Sequence, residues 1–120
     1  MKSKVAIHEF QPRLRILRGK DIAMGPGKAD LLEQVAKHGS IAEAAAHLGM
    51  SYMRAWTLIK TMDRCFREPL VAVSRGGAKH GGAQLTATGC RVLALYRRME
   101  KISLTATSAA RREMDGLLRI

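Results

Sequence analysis

The segment of residues 51–66 carries side chains that could bind a nucleic acid if it forms a helix. Its apolar residues recur with helical spacing, which leaves a second face open to solvent or to a ligand. That outer face holds Tyr52, Met53, Arg54, Thr57, Lys60 and Arg64. Arg54 could pair with guanine O6 and N7, while Met53 and the methyl group of Thr57 could contact thymine methyl groups.

Lys60 and Arg64 lie further along the same face, and we expect them to reach phosphates rather than bases. The alternative is a helix face that only meets solvent, for which Tyr52 and Met53 are poorly suited residues. Trp56 borders both faces, and we expect it to pack against the neighbouring hairpins more than to contact a base.

A second basic segment, RGGAKHGG, covers residues 75–82 and combines four glycines with Arg75, Lys79 and His80. Glycines allow the backbone to approach a phosphate closely, and the cations neutralise it. A nucleotide-binding P-loop is excluded because its order of glycines, Lys and Ser or Thr is absent. The alternative is a hairpin loop that only meets solvent in the free protein.

The charge of the chain agrees with a polyanionic partner. Lys and Arg total 21 against 10 Asp and Glu in 120 residues, which gives a formal net charge of +11. Such an excess favours nucleic acid first and an anionic membrane second, although some small proteins are simply basic. The length fits one domain, and a hydrophobic content of 47% is enough to form a core.

Several other classes of protein are not expected. The start, MKSKVAIHEF, lacks the apolar stretch of a signal peptide, so we expect a cytoplasmic protein. Cys65 and Cys90 have no metal-binding spacing and are expected to be reduced thiols in the core. The four histidines, His8, His38, His47 and His80, also lack ligand spacing, so neither a metal nor a cofactor is expected. We find no catalytic pair of residues and expect no enzyme.

Turn and capping signals predict the elements that position these residues. Residues 1–10 are expected to be a loose tail, and residues 12–18 alternate Leu14 and Ile16 with arginines, as in a half-buried strand. A turn at Gly19 would lead to a partner strand over residues 22–24. Pro26 then suits the start of a helix over residues 27–38.

Two short helices should follow, separated by a sharp turn. Ser40 and Glu43 form an S-x-x-E capping box, and Gly49 permits the positive φ of a helix-to-helix turn. Ser51 then caps the next helix. This pattern predicts a helix-turn-helix whose second helix enters the DNA major groove. Ser40 would also place a helix N-terminus near a phosphate, unless its role is purely that of a cap.

The last part of the chain predicts a wing and a long helix. Apolar residues 70–73 and 83–85 flank the glycine-rich loop as two strands, and Thr86 caps a helix that we expect to run to about residue 115. At about 1.5 Å per residue it would be too long to pack only on this domain. Its seam, spaced as in a coiled coil, consists of Val92, Leu95, Met99, Ile102, Ala106 and Ala109. The seam predicts a homodimer, although part of it must cover the domain's own core.

The predicted fold is mainly α with a small β component, a winged helix-turn-helix over residues 11–86 with a C-terminal dimerisation helix over residues 87–120. The predicted function is a sequence-specific regulator of transcription that binds an inverted-repeat DNA operator as a dimer. One alternative is a nonspecific architectural binder of DNA or RNA. Another is an adaptor that binds proteins and not DNA, which the basic outer face of residues 52–64 disfavours.

Four segments carry a resemblance to a known family: GSIAEAAAHLGMSYMRAW, EPLV, GGAKHGGAQLT-x-x-G and LALYRRME. Across residues 14–100 the chain resembles the N-terminal DNA-binding domain of ModE-type molybdate-responsive regulators, and more distantly the LysR-type winged helix. The resemblance implies dimerisation, and it implies DNA contact by Ser51, Tyr52, Arg54 and residues 75–82. Met53 departs from the family, which often has a basic residue there.

The C-terminal end also departs from that family, whose full-length members carry a molybdate-binding module after the long helix. The chain ends at Ile120, so we expect a stand-alone DNA-binding domain that does not bind molybdate. Residues 107–113, TSAARRE, faintly resemble a Thr-Ser-Ala-Arg segment of the family. Because they lie on the predicted helix with an extra alanine, we assign no oxyanion binding to them.

Overall fold

The computed structural model describes residues 9–74 and 82–119. Five helices and four short strands in this part of the chain confirm the predicted fold class. In chain order they are β1 (Ile16–Arg18), β2 (Asp21–Met24), α1 (Pro26–His38), α2 (Ile41–His47), α3 (Tyr52–Cys65), β3 (Val71–Ser74), β4 (Gly82–Leu85), α4 (Ala87–Ala106) and α5 (Ser108–Asp115).

Capping residues fix the bounds of the first three helices as the sequence predicted. Gly39 ends α1 with φ of 69°, a left-handed conformation that glycine adopts without strain. The hydroxyl oxygen of Ser40 accepts a hydrogen bond from the N–H of Glu43 at 3.1 Å. Gly49, with φ of 68°, makes the turn into α3. Ser51 caps α3 by accepting from the N–H of Arg54 at 3.0 Å.

The core lies where α1, α2 and α3 meet. Its fully buried members include Leu31, Leu32 and Val35 of α1, Ala44 of α2, and Ala55, Ile59 and Met62 of α3. Each large apolar side chain in such a site stabilises the fold by about 1.5–3 kcal/mol. The alanines of α2 keep it close to its neighbours, as predicted, because a larger side chain would force the helices apart.

Two antiparallel hairpins form separate two-stranded sheets, β1–β2 and β3–β4. The first strand is shorter than predicted, because it begins only at Ile16, and a register shift lies within it between Ile16 and Leu17. Leu14 packs on the core as expected. Ile16 is 42% exposed, so the prediction that it faces inward was wrong. In the second hairpin, which we call the wing hairpin, the N–H of Ala83 donates to the carbonyl of Gly39 at 3.0 Å.

The first half of α4 packs against the rest of the domain through its two buried residues, Gly89 and Tyr96. Thr86 caps it, and the helical Gly89 packs so closely on the chain before β3 that a Cβ there would overlap the Leu70 carbonyl oxygen. About two turns further on, Tyr96 is 1% exposed. Its hydroxyl donates to the carbonyl of Leu14 at 2.8 Å. These contacts join α4 closely to the preceding residues, and the domain boundary predicted at residue 86 stays a prediction.

The prediction of one uninterrupted C-terminal helix was wrong, because the helix breaks at Thr107. This residue has ψ of 2°, away from helical values. Its hydroxyl donates to the carbonyl of Ser103 at 2.6 Å, and the hydroxyl of Ser108 donates to that of Thr105 at 3.0 Å. Hydroxyl groups that bond to preceding carbonyls in this way bend or interrupt helices. The α5 helix that follows has no buried residue.

A cluster of charges around Arg97 joins α1 to α4. Its guanidinium lies 2.8 Å from Asp30, 2.6 Å from Glu33 and 3.1 Å from Glu100. Burial lowers the pKa of Arg97, but hydrogen bonds to these carboxylates outweigh it and raise the pKa overall. Three partners for one partly exposed cation fix the packing angle of α4 on α1 more firmly than one exposed ion pair would.

The cysteines differ from each other. Both are free thiols, but Cys65 is half-buried and Cys90 is exposed on α4, so the expectation that Cys90 lies in the core was wrong. Within the described ranges, no cluster of three or more His, Cys, Asp or Glu side chains could hold a metal ion. Nor does any helix in those ranges combine the length and apolar character needed to cross a membrane.

Candidate nucleic-acid interface

The outer residues predicted for α3 form one exposed surface. Ala55, Ile59 and Met62 anchor the opposite side of the helix in the core. Tyr52 is 49% and Met53 65% exposed. We call this set the α3 surface: Tyr52, Met53, Arg54, Thr57, Lys60 and Arg64, all exposed. The structure brings these residues together, while their contact with DNA stays a prediction.

Aromatic stacking orders one flank of the α3 surface. The rings of Tyr52 and Trp56 lie nearly parallel, with centroids 6.4 Å apart. The Nζ of Lys60 lies 4.5 Å from the centroid of the Trp56 ring. Trp56 itself is half-buried against the core, in agreement with a packing role. A cation held over an aromatic ring is stabilised by about 0.5–1 kcal/mol at an exposed site, so the Lys60 ammonium is held in place.

The other end of the α3 surface is tied to the first hairpin. The guanidinium of Arg64 lies 3.4 Å from the carboxylate of Asp21, which begins β2. Cys65 also places its thiol 4.0 Å from that carboxylate. The sequence offered no signal for this contact, because Arg64 and Asp21 are 43 residues apart. The guanidinium of Arg64, which is predicted to bind a phosphate, is therefore already paired with the Asp21 carboxylate in this structure.

A buried lysine that the sequence analysis missed lies behind α3. Lys28, in the first turn of α1, is only 9% exposed. The pKa of Lys28 is lowered, chiefly because burial disfavours the charged ammonium. The nearby Cys65 and Asp21 act to raise the pKa, and Arg54 acts to lower it. A cation in this position adds to the positive potential under the α3 surface.

Ser40 and the start of α2 form a separate part of the candidate interface. The oxygen of Ser40 is used as the helix cap, and its hydroxyl hydrogen remains available as a donor. Beside it, the rings of His38 and His47 stack with centroids 3.9 Å apart. The Nε2 of His38 lies 3.0 Å from the side-chain oxygen of Gln34. This packing fixes the ends of α1 and α2, and contact between Ser40 and a phosphate stays a prediction.

Only the base of the wing hairpin can be described. Four residue pairs join β3 to β4, from Val71 opposite Leu85 to Ser74 opposite Gly82. The predicted wing contacts Arg75, Lys79 and His80 lie outside the described residues. Because Ala83 bonds to Gly39, the base of the wing hairpin is fixed beside the start of α2.

The predicted dimerisation seam divides into two parts. Val92 packs against the core of its own domain, and Met99 is half-buried. Leu95 is 45% and Ile102 54% exposed, and Ala106 is exposed as well. Ala109 lies in α5, beyond the break at Thr107, so it does not continue the stripe of α4 in a straight line. The helix meets the core chiefly through Tyr96, which the seam omitted.

A capped helix-turn-helix, a basic exposed second helix and a following hairpin define the winged helix-turn-helix class of DNA-binding transcription regulators. Residues 28–90 match the model of the family described as bacterial regulatory helix-turn-helix protein, LysR family. The chain therefore belongs to the LysR family of bacterial regulatory helix-turn-helix proteins.

The curated relatives agree with the resemblance to ModE. Over 91 residues the chain is 38% identical to the molybdenum transport protein ModE of Azotobacter vinelandii, covering 76% of this chain and 34% of that protein. It is 37% identical over 81 residues to the DNA-binding transcriptional dual regulator ModE of Escherichia coli strain K12, covering 68% of this chain and 31% of that one. The chain thus spans about a third of the length of these relatives.

A solved structure agrees with the fold. The DNA-binding domain of CbnR, solved in complex with DNA, superposes with a TM-score of 0.57 and 22% identity, covering 73% of this chain and 95% of that one. At this identity the likeness concerns the fold alone. It confirms the winged helix-turn-helix architecture derived from the elements above.

Proposed function

We propose that this chain regulates transcription by binding a specific sequence of double-stranded DNA through the α3 surface. The observation that carries the proposal is the exposed stripe of Tyr52, Met53, Arg54 and Thr57 at the start of the second helix of a helix-turn-helix. The DNA major groove, about 12 Å wide, admits a helix of this kind. Residues of its first turns then lie beside the base edges.

The side chains of the α3 surface divide the work of recognition. Arg54 donates two hydrogen bonds to guanine, and Met53 and Thr57 contact thymine methyl groups. Lys60, held over Trp56, and Arg64 bind phosphates and set the position of the helix in the groove. Ser40, at the start of α2, and the wing residues Arg75, Lys79 and His80 bind the DNA backbone.

The protein acts as a homodimer on an inverted repeat. Leu95 and Ile102 expose apolar area on a helix that extends beyond the core, and a second copy would cover both. A two-fold dimer presents its two recognition helices to two half-sites of opposite orientation. We assign no catalytic role to the chain, and its action on bacterial DNA implies a cytoplasmic location.

The competing function is sequence-independent binding of DNA or RNA, which the net charge of +11 would support by itself. A selection from random duplex DNA separates the two. The retained pool is sequenced, and the preferred duplex is then titrated at several salt concentrations. An enriched inverted repeat supports the proposal, and an unenriched pool with affinity that depends on salt alone contradicts it.

Two variants of the α3 surface sharpen this test. Arg54→Ala should lose about 1–3 kcal/mol of discrimination at one base pair of each half-site. Lys60→Ala is the matched control, and it should weaken binding to all sequences alike and reduce the salt slope by about 1. Equal effects of the two variants on base preference would contradict the roles assigned to them.

A further inference from the structure

The β1–β2 hairpin and the segment just before it carry exposed cations that no assigned role uses. Arg13, Arg15, Arg18 and Lys20 are all exposed. Within the described part of the chain, none of them forms a salt bridge. The only acid of the hairpin is Asp21, and Arg64 already neutralises it. The turn of this hairpin is therefore a net cationic surface.

The position of the turn makes this charge relevant to DNA. Asp21 begins β2 and pairs with Arg64, the last member of the α3 surface. Lys20 precedes Asp21 in the chain, and Arg18 lies opposite Asp21 in the register of the hairpin. The ion pair of Asp21 with Arg64 thus places Lys20 and Arg18 of the hairpin turn next to the end of the α3 surface.

The two hairpins are held at opposite ends of α1. β2 ends at Met24, two residues before α1 begins, whereas β4 bonds to Gly39 where α1 ends. The 13 residues of α1 separate the two points by about 18 Å, at about 1.5 Å per residue. That separation exceeds the major-groove width of about 12 Å, so two such hairpins can meet the two backbones that border one groove.

We propose that the turn of the β1–β2 hairpin, through Arg18 and Lys20, is a second DNA-backbone clamp that binds phosphates on the side of α3 away from the wing hairpin. The inference rests on the proposed function, since it needs α3 in the major groove. It deepens that function by adding a phosphate-binding element outside the helix-turn-helix and the wing. The hairpin contributes affinity and register and reads no bases.

The test compares Arg18→Gln/Lys20→Gln with the wild type and with Lys101→Gln/Arg112→Gln. The control removes the same charge from exposed positions on α4 and α5. Binding to the selected operator and to a scrambled duplex is measured from low to high salt. Loss of two phosphate contacts should lower the slope of log K against log salt by about 1.8 for both duplexes, with base preference unchanged. The control should keep the wild-type slope.

Ethylation interference locates the phosphates involved. We expect a group of phosphates whose ethylation inhibits the wild type and has no effect on Arg18→Gln/Lys20→Gln, with the other interfering positions unchanged. A wild-type slope and pattern in this variant would overturn the clamp, as would an equal loss in the control.

Asp21→Asn should change DNA affinity in the opposite direction. It removes the acid beside the clamp and releases Arg64, so the slope should become steeper and affinity should rise for both duplexes. An unchanged or weaker affinity in a folded Asp21→Asn protein contradicts the inference. If the wild type binds DNA without base preference, the proposed recognition of an operator is contradicted. The comparison of salt slopes on a scrambled duplex still tests whether the hairpin turn binds phosphates.

Discussion

Helices α3 and α4 each place one stripe in the same core, yet they expose different apolar content. The exposed side of α3 carries Arg54, Lys60 and Arg64 among its polar residues. The exposed side of α4 carries Leu95 and Ile102, which are 45% and 54% exposed and are flanked by Arg91 and Arg98. A cationic surface suits a polyanion, whereas an apolar surface in water suits another apolar surface.

The two helices also differ in how far the core supports them. Buried residues of α3 extend from Ala55 to Met62, over most of the helix. Those of α4 are Gly89 and Tyr96, so the second half of this 20-residue helix has none. The Cα radius of gyration of 17.4 Å exceeds the value of about 13.6 Å for a compact chain of this length. The core therefore supports most of α3, whereas the second half of α4 forms an arm with no buried residue.

The largest effect should come from making the arm polar. We expect Leu95→Glu/Ile102→Glu to abolish the dimer, because burying two carboxylates in an apolar contact is costly. Affinity for an inverted repeat should fall by about 100- to 10,000-fold through loss of effective concentration, while affinity for a single half-site stays the same. Sedimentation analysis and DNA titration check both expectations.

Cys90→Glu/Ala94→Glu is the control for that experiment. It adds the same two charges to α4 at exposed positions that lie about 80–140° around the helix from Leu95 and Ile102. This variant should remain dimeric and bind the inverted repeat as the wild type does. Dimerisation that survives Leu95→Glu/Ile102→Glu, or that fails equally in the control, would show that another surface joins the two copies.

The second largest effect should come from the point that fastens the arm. Because a Cβ at Gly89 would overlap the Leu70 carbonyl oxygen, Gly89→Ala must move α4 or the chain before β3. We expect a loss of about 1–3 kcal/mol in the free energy of unfolding, measured by urea denaturation. Gly27→Ala is the matched control, since nothing lies within 4 Å of a Cβ there, and it should stabilise α1 by about 0.4–1 kcal/mol.

The comparison of Gly89→Ala with Gly27→Ala would also test whether the angle of α4 on the core affects DNA binding. If Gly89→Ala changes the preferred spacing of half-sites without changing their sequence, the angle of α4 on the core sets the distance between the recognition helices. A free energy of unfolding equal to that of the wild type would contradict the close packing of Gly89 on Leu70.

Local signals in the sequence predicted the helix-turn-helix and the α3 surface. Ser40, Gly49 and Ser51 act on residues within four positions of themselves, so their effects could be inferred without the rest of the fold. The same reasoning failed at Thr107, where hydroxyl groups of Thr and Ser compete for helix carbonyls. Helical periodicity contained no sign of that competition.

Contacts between distant parts of the chain could not be predicted. The bond from Tyr96 to Leu14 spans 82 residues, and Arg97 meets Glu33 across 64. The coiled-coil spacing of apolar residues in α4 placed Leu95 and Met99 in the seam. That spacing gave no reason to select the neighbouring Tyr96, which is the residue that the core buries. The pairing of Asp21 with Arg64, on which the hairpin clamp rests, belongs to the same group.

A smaller effect should separate the inner face of α4 from its outer face. Tyr96→Phe removes the donor to the Leu14 carbonyl and should cost about 0.5–1.5 kcal/mol of unfolding free energy. Tyr52→Phe, on the exposed α3 surface, should change stability by less than about 0.5 kcal/mol. Urea denaturation of both variants makes the comparison, and equal losses would mean that the buried hydroxyl group contributes nothing of its own.

The pH dependence gives the same hydroxyl an independent readout. Burial raises the pKa of Tyr96 above its ordinary value of 10.0, with the neighbouring Glu100 adding to the effect. The folded protein therefore holds this proton more tightly than the unfolded chain does. Its contribution to stability is complete below pH 10 and is lost as the pH rises through the folded pKa. Tyr96→Phe should remove this loss of stability at alkaline pH.

The smallest effect should come from the buried lysine behind α3. Lys28→Met keeps the length of the side chain and removes an ammonium group that burial disfavours. We expect the melting temperature at pH 7 to rise by roughly 2–5 °C. Lys101→Met, at an exposed position of α4, is the control and should give no such gain.

The sign of the pH dependence follows from the lowered pKa of Lys28. Between the folded pKa and the unfolded value of 10.5, the unfolded chain binds more protons, so wild-type stability rises with pH in that window. The advantage of Lys28→Met should therefore be largest below the folded pKa and shrink as the pH approaches 10.5. A melting temperature that falls in Lys28→Met at pH 7 would mean that the ammonium is stabilised where it lies, and that α3 is backed by a favourable charge as well as by its apolar core.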